Sequence, residues 1–210
     1  MNRASGELCR LFGIERPVFQ AGMGWVTTGR IAAAVSGAGG LGCIATAGIM
    51  GSDELREHIA HVRDVAPGRP FAVNLLLPSG AEDSGTMGSL DFTRLQLDVC
   101  FEQKVPIIIS GLGNPTDVVG EIHANGAKLV CVVGTVRAAI KVAGLGADER
   151  ATTVTRALTG KPSRAWRSPF VAEWEGREAE IQPYPEQAIG SILPAAEIVE
   201  LLAAPAEAAA

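Results

Sequence analysis

The chain has 210 residues, of which 47% are hydrophobic, so it is long enough for one sizeable core and is composed like a globular protein rather than a disordered one. A net charge of −5 and the lack of any basic cluster give no reason to expect a nucleic-acid partner. No apolar run reaches the ~18 residues of a membrane-spanning helix, and Met1 to Glu7 lack the apolar core of a signal peptide, so a cytoplasmic location is expected.

In chain order, Glu7 to Phe12 reads as a short helix. Val18 to Gln20 reads as a buried strand that ends in the turn Gln20-Ala21-Gly22-Met23-Gly24-Trp25. Gly22 and Gly24 let the backbone of that turn pass close to whatever lies above the strand end. A helix over 28–36 follows, then a strand over 41–45. Ser52 is the expected N-cap of the next helix, with Asp53 and Glu54 in its first turn and Leu55, Ile59 and Val62 on one face. Phe71 to Leu76 is the third strand, and residues 78–89, rich in Gly and Ser, read as a loop. A helix over 90–103, a strand over 105–110 and a helix opening near Pro115 come next. A strand over 129–133 and a helix over 136–142 complete the regular part.

These are five strand–helix units whose strands are apolar on both faces, which implies a parallel sheet covered by helices. An open doubly wound sheet and a (β/α)8 barrel both satisfy that pattern. In either, ligands bind at the carboxyl ends of the strands. Those ends carry Ala21-Gly22-Met23, Ala45-Thr46-Ala47, Asn74, Ser110-Gly111 and Gly134-Thr135, with no strongly charged side chain. The set suits a flat, neutral, hydrogen-bonding ligand. Asn74 is out of pattern in an apolar strand; it reads either as a loop-ordering amide or as a donor–acceptor pair aimed at a ring edge.

The remaining candidates are weaker. His58, His61 and His123 all fall within helices, and their placement reads as solvated or half-buried surface. Gly111-Leu112-Gly113-Asn114-Pro115 lacks the third glycine of a dinucleotide fingerprint. Lys104, Lys161 and Arg164 are possible anion contacts that read better as surface residues, Lys104 at a strand entry and the other two in a turn. The four cysteines have no metal-ligand spacing and read as reduced packing residues. No metal site is expected.

After Asp148 the pattern breaks, so the chain divides into 1–148, the strand–helix part, and 149–210, a tail with helices. Within that tail, 152–156 reads as a strand or a helix start, 160–164 as a basic turn, 172–180 as a short charged helix, and Pro194 as the opening of a last helix.

Several segments carry a resemblance: Leu11-Phe12-Gly13-Ile14-Glu15-Arg16-Pro17, Gln20-Ala21-Gly22-Met23-Gly24, Gly39-Gly40-Leu41-Gly42, Phe71-Ala72-Val73-Asn74-Leu75, Lys104-Val105-Pro106 and Val132-Val133-Gly134-Thr135-Val136. In this order and spacing they resemble the nitronate monooxygenase family, formerly 2-nitropropane dioxygenases, whose relatives include the flavin-dependent enoyl-acyl-carrier-protein reductases. The resemblance implies a (β/α)8 barrel that holds FMN at its strand ends, with Ala21, Gly22 and Met23 lining the flavin ring and Asn74 bonded to it. It implies oxidation of alkyl nitronates with O2 to a carbonyl compound and nitrite, the small-molecule substrate binding beside the flavin.

The chain departs from the family after Gly146-Ala147-Asp148. The segment bearing the family's histidine is not present, so the catalytic residue is left unassigned. Nor are the strands that hold the FMN phosphate. The expected fold is therefore an incomplete barrel of about five units, where a full one takes ~250 residues. Its strand over 129–133 is expected to form an open apolar edge that favours self-association. Two functions stay in view: a flavin oxidoreductase of this type, and a non-catalytic shortened remnant or assembly partner that keeps half of the flavin pocket.

Overall fold

Alternation of short apolar strands with amphipathic helices leaves the chain one economical arrangement, a parallel sheet with helices packed on it. The computed structural model describes residues 3–24, 26–47, 49–77, 90–112, 115–133, 136–147, 149–151, 154–156, 162–164 and 199. Helix α1 (Arg3–Phe12) leads in. Helix α2 (Gly29–Gly37), strand β1 (Gly42–Ala45), helix α3 (Ser52–Val65) and strand β2 (Phe71–Leu76) follow. Next come helix α4 (Leu90–Glu102), strand β3 (Ile107–Leu112), helix α5 (Val119–Ala124), strand β4 (Lys128–Val132) and helix α6 (Val136–Gly144). Strands β5 (Glu149–Ala151), β6 (Val154–Arg156) and β7 (Pro162–Arg164) close the series.

Strands β1 to β5 form one sheet in sequence order, every pair parallel. Its register places Ala45, Asn74, Ile109, Val130 and Glu149 in one row across the sheet. Period-2 alternation then sorts the side chains between two faces. Ile44, Val73, Ile108 and Leu129 pack against the helices, where Leu55, Ile59, Leu97 and Ile122 are buried. Cys43, Ala72, Ile107, Ile109 and Val130 point to the opposite face, where Phe12 and Ile14 cover them. Phe12 and Phe19 meet there edge to face, ring centres 5.0 Å apart.

The structure corrects several expectations. Val18–Gln20 joins the sheet by a single bridge, Phe19 to Leu41, rather than as a full strand. The pairing is then carried on by a side chain: the Gln20 amide accepts from Cys43 N–H and donates to Cys43 O, both at 3.1 Å, in place of a peptide group. Ser52 is not the N-cap of α3. Gly51 takes that position in an extended conformation, φ −66° and ψ 159°, and Ser52 is the first helical residue. The strand expected from Val105 begins at Ile107, because Pro106 has no N–H to give to a ladder. At Pro115 the chain makes a 3₁₀ turn, Pro115–Asp117, before α5. The sheet also does not stop at Asp148: β5 pairs with β4 through Glu149, Arg150 and Ala151. Among the described residues the sheet therefore ends at β5, and the strand over 129–133 is paired on both sides. Beyond it, β6 and β7 pair antiparallel, which resolves 152–156 as partly strand and turns the expected basic turn into a strand from Pro162. The loop at 78–89, Lys161 and the helix at 172–180 lie outside the described residues; of the last helix Val199 is described, helical and buried.

All four cysteines are thiols, not disulfides, and Cys43, Cys100 and Cys131 are buried. Burial pushes the Cys43 thiol up to about 12, against a smaller lowering by the Asn74 backbone, and pushes Cys100 up to about 12 as well. At pH 8 each is then only about 10⁻⁴ thiolate. The expected result is that a disulfide-exchange reagent at pH 8 leaves Cys43 and Cys100 unmodified in the native chain and labels both in denaturant. Mass mapping of the labelled peptides reads the outcome, and native labelling of either would contradict the core as described. Among the described residues no helix is long and apolar enough to cross a membrane.

Candidate functional site

The carboxyl ends of the parallel strands gather the residues that the sequence singles out. Asn74 lies in the middle of them, 9% exposed, in register with Ala45 and Ile109. Its side-chain Nδ2 donates to Ile109 O at 3.2 Å, and its backbone carbonyl accepts from both the N–H and the hydroxyl of Thr46. The side-chain Nδ2 and the backbone carbonyl are thus engaged, and Oδ1 is the polar atom of this residue that no protein group among the described residues occupies. Two glycines fix where the amide sits. A Cβ at Gly22 would lie 2.5 Å from Asn74 Oδ1, and one at Gly111 would lie 3.1 Å from Nδ2. The amide is thus held between two bare backbones.

Ala21, Gly22 and Met23 run over this amide and are exposed, Met23 by 48%. Their path is set from behind. Buried Thr27 accepts at its hydroxyl from Met23 N–H and donates back to Met23 O, both at 3.0 Å. Gly24 passes so close to Ala47 that a Cβ there would meet the Ala47 methyl at 2.9 Å. Ala47 itself has φ of 50°, a left-handed conformation that an L-alanine adopts only when its surroundings impose it. So Ala21, Gly22, Met23 and Asn74, distant in sequence, form one surface.

Lys104, His61 and His123 do not join it. Lys104 is exposed ahead of the amino end of β3, so the length of that strand separates it from the site. Arg164 belongs to β7, and His61 and His123 belong to the helical layer. His58 is different. It is a half-buried helix residue, as its placement suggests, yet it lines a cavity that reaches the carboxyl end of β1. The cavity has a volume of about 150 Å³. Its lining combines polar Thr27, Thr28, Thr46, Glu54 and His58 with apolar Ala45, Ala47, Ile49 and Met50. The walls are rigid: Gly29 sits against the α3 backbone where a Cβ would lie 2.5 Å from His58 O. The one legible sign of this site is the i, i+4 spacing of Glu54 and His58, which puts both on one helix face.

Comparison with known proteins gives the setting. The profile of the nitronate monooxygenase family matches residues 5–150. The chain is 34% identical over 141 residues to (3aS,4S,5R,7aS)-5-hydroxy-7a-methyl-1-oxo-octahydro-1H-indene-4-carboxyl-CoA dehydrogenase of Mycobacterium tuberculosis, a match that covers 67% of this chain and 36% of that protein. It is 40% identical over 77 residues to a probable nitronate monooxygenase of Staphylococcus saprophyticus, covering 37% of this chain and 21% of the other. Among solved structures, FabK from Thermotoga maritima superposes with a TM-score of 0.60 at 35% identity, over 70% of this chain and 45% of that one. The nitroalkane oxidase of Streptomyces ansochromogenes superposes with a TM-score of 0.61 at 26% identity, over 71% and 49%. The fold is α/β of the (β/α)8-barrel type, incomplete: the chain spans 36% of the length of the first of these relatives and less than half of the solved chains.

Proposed function

We propose, since the chain belongs to the nitronate monooxygenase family by the match over residues 5–150, that its strand ends bind FMN and serve an oxidoreductase that converts alkyl nitronates and O2 to carbonyl compounds and nitrite. The observation that carries the reading is the surface formed by Ala21, Gly22, Met23 and Asn74. It fits a flat, neutral ring: the Gly22 backbone lies bare, and a side chain there would strike Asn74. Asn74 Nδ2 is already given to Ile109 O, so its Oδ1 is the atom left to accept from a ring N–H. Bound FMN would supply the electron transfer between substrate and oxygen. The chain's own part is to orient the ring through Asn74 and to hold the loop under it through Thr27 and Met23. The protein acts on a small molecule in the cytoplasm.

The test is a titration of the purified chain with FMN, followed by flavin fluorescence and absorbance. Saturable binding at one site in the micromolar range supports the reading, and Asn74→Ala is expected to weaken it about 10-fold, the loss of one hydrogen bond. Failure to bind favours the other function: a non-catalytic remnant or assembly partner with half of a flavin pocket. A second substrate reading has its own support. The match to the M. tuberculosis carboxyl-CoA dehydrogenase runs over 141 residues, against 77 for the S. saprophyticus protein. Turnover of a propyl nitronate and of a cyclic carboxyl-CoA thioester, assayed side by side on FMN-loaded chain, decides between them.

A further inference from the structure

The cavity between the end of β1, the start of α2 and α3 is separate from the exposed surface of Ala21–Met23, and three of its polar groups have unused capacity. Thr28 stands at the N-cap position of α2, where a threonine hydroxyl ordinarily bonds back to the helix, yet it makes no such bond. It lines the cavity instead. Glu54 Oε1 and His58 Nε2 are 3.9 Å apart, beyond hydrogen-bond length, with the imidazole 23% exposed. The other two hydroxyls are engaged: Thr27 holds Met23, and Thr46 holds the Asn74 carbonyl. The apolar part of the lining is Ala45, Ala47, Ile49 and Met50, with Ala47 in its left-handed conformation. Such strain in a wall is a common mark of a shaped site.

We propose that this cavity binds a small neutral molecule with an apolar body and a carboxamide end, independently of the flavin. The volume matches a body of about benzene's size. Glu54 is the one carboxylate in the walls, so a carboxylate or phosphate ligand would meet like charge there. A carboxamide offers N–H groups to Glu54 and the imidazole, and a carbonyl to the Thr28 hydroxyl. Its hydrocarbon part lies on Ile49, Met50 and the two alanines. Thr27 and Thr46 join the cavity wall directly to Met23 and Asn74.

The experiment uses the full chain without FMN, so its failure is separate from that of the flavin reading. The imidazole resonances of His58, assigned by their loss in His58→Gln, are followed while isobutyramide, isobutyrate or isobutylammonium is added. Isobutyramide is expected to shift them saturably, with a Kd of about a millimolar for so small a ligand. Isobutyrate at the same pH is expected to bind at least about 5-fold more weakly. Thr28→Val keeps the shape and removes a hydroxyl that the fold does not use. It should weaken isobutyramide by about 5- to 10-fold with no change in unfolding midpoint. The proposal is overturned if none of the three probes gives a saturable shift up to about 50 mM. It is overturned equally if isobutyrate or isobutylammonium binds as well as the amide, or if Thr28→Val leaves the affinity unchanged.

Discussion

Gly22→Ala is expected to lower FMN affinity by at least about 100-fold, close to 3 kcal/mol, while the protein stays folded. The added methyl would sit 2.5 Å from Asn74 Oδ1, 2.7 Å from Cγ and 2.9 Å from Cβ, so one of the two partners must move. Asn74 has little room to retreat: its Nδ2 is bonded to Ile109 O, and Gly111 closes its far side. If it moves, the amide that orients the ring is lost. If the Ala21–Met23 backbone lifts instead, the surface beneath the ring is lost, together with the Met23–Thr27 bonds. The first route forfeits the Asn74 hydrogen bond and also leaves a displaced amide in the site, and the second forfeits the platform under the ring, so each should exceed the single bond lost in Asn74→Ala. The stability cost is expected to stay near 1–2 kcal/mol, because the loop is exposed and can yield outward. Fluorescence titration gives the affinity and urea unfolding the stability. His61→Gln, in the helical layer away from this surface, should bind FMN within about 3-fold of the parent chain. Unchanged binding by Gly22→Ala would place the flavin elsewhere.

The parts of this molecule that the sequence displays are those where one periodicity governs a whole element. Phe71–Leu76 is apolar throughout apart from Asn74, is bounded by Pro70, and folds with the expected limits. Asn74 could be singled out because a lone amide in such a run breaks the pattern. Gln20 could not be read the same way: its role depends on a side chain imitating a peptide toward Cys43, which leaves no periodic trace. Strand β5 was hidden for a related reason. Glu-Arg-Ala has no apolar alternation, and a strand at the end of the sheet, as it stands among the described residues, does not need it. The cavity at His58 was hidden by distance along the chain. Its walls come from the loop before α2, the end of β1 and the face of α3, which the packing of α2 on α3, with Gly29 against the His58 backbone, brings together. Local pattern reveals elements; close backbone approaches decide which of their ends share a site.

One such approach holds the fold rather than the site, and its loss should be the most costly single change. Gly42→Ala is expected to destabilise the chain by about 3–5 kcal/mol, a large part of the 5–15 kcal/mol that holds a typical domain together. A Cβ at Gly42 would lie 2.0 Å from Ala32 O and 2.7 Å from Ala32 C, which are rigid helical backbone rather than a movable side chain. It would also press on Ser36 Oγ at 2.7 Å. That hydroxyl accepts from Gly42 N–H and donates to Pro70 O, so it ties the start of β1, helix α2 and the entry to β2 into one node. Relief requires α2 to move off the sheet, which breaks the node and opens space around Ala32 and Ala33, both fully buried. Gly120→Ala is the counterpart: the glycine is exposed within α5 with open space where the methyl would go, and the change should stabilise by about 0.5–1 kcal/mol. Urea unfolding followed by circular dichroism compares the two. A Gly42→Ala chain within about 1 kcal/mol of the parent would mean that α2 is free to slide on β1. The rigid placement of Thr27, Thr28 and the Ala45–Ala47 strand end, on which both the flavin surface and the His58 cavity depend, would then have no physical basis.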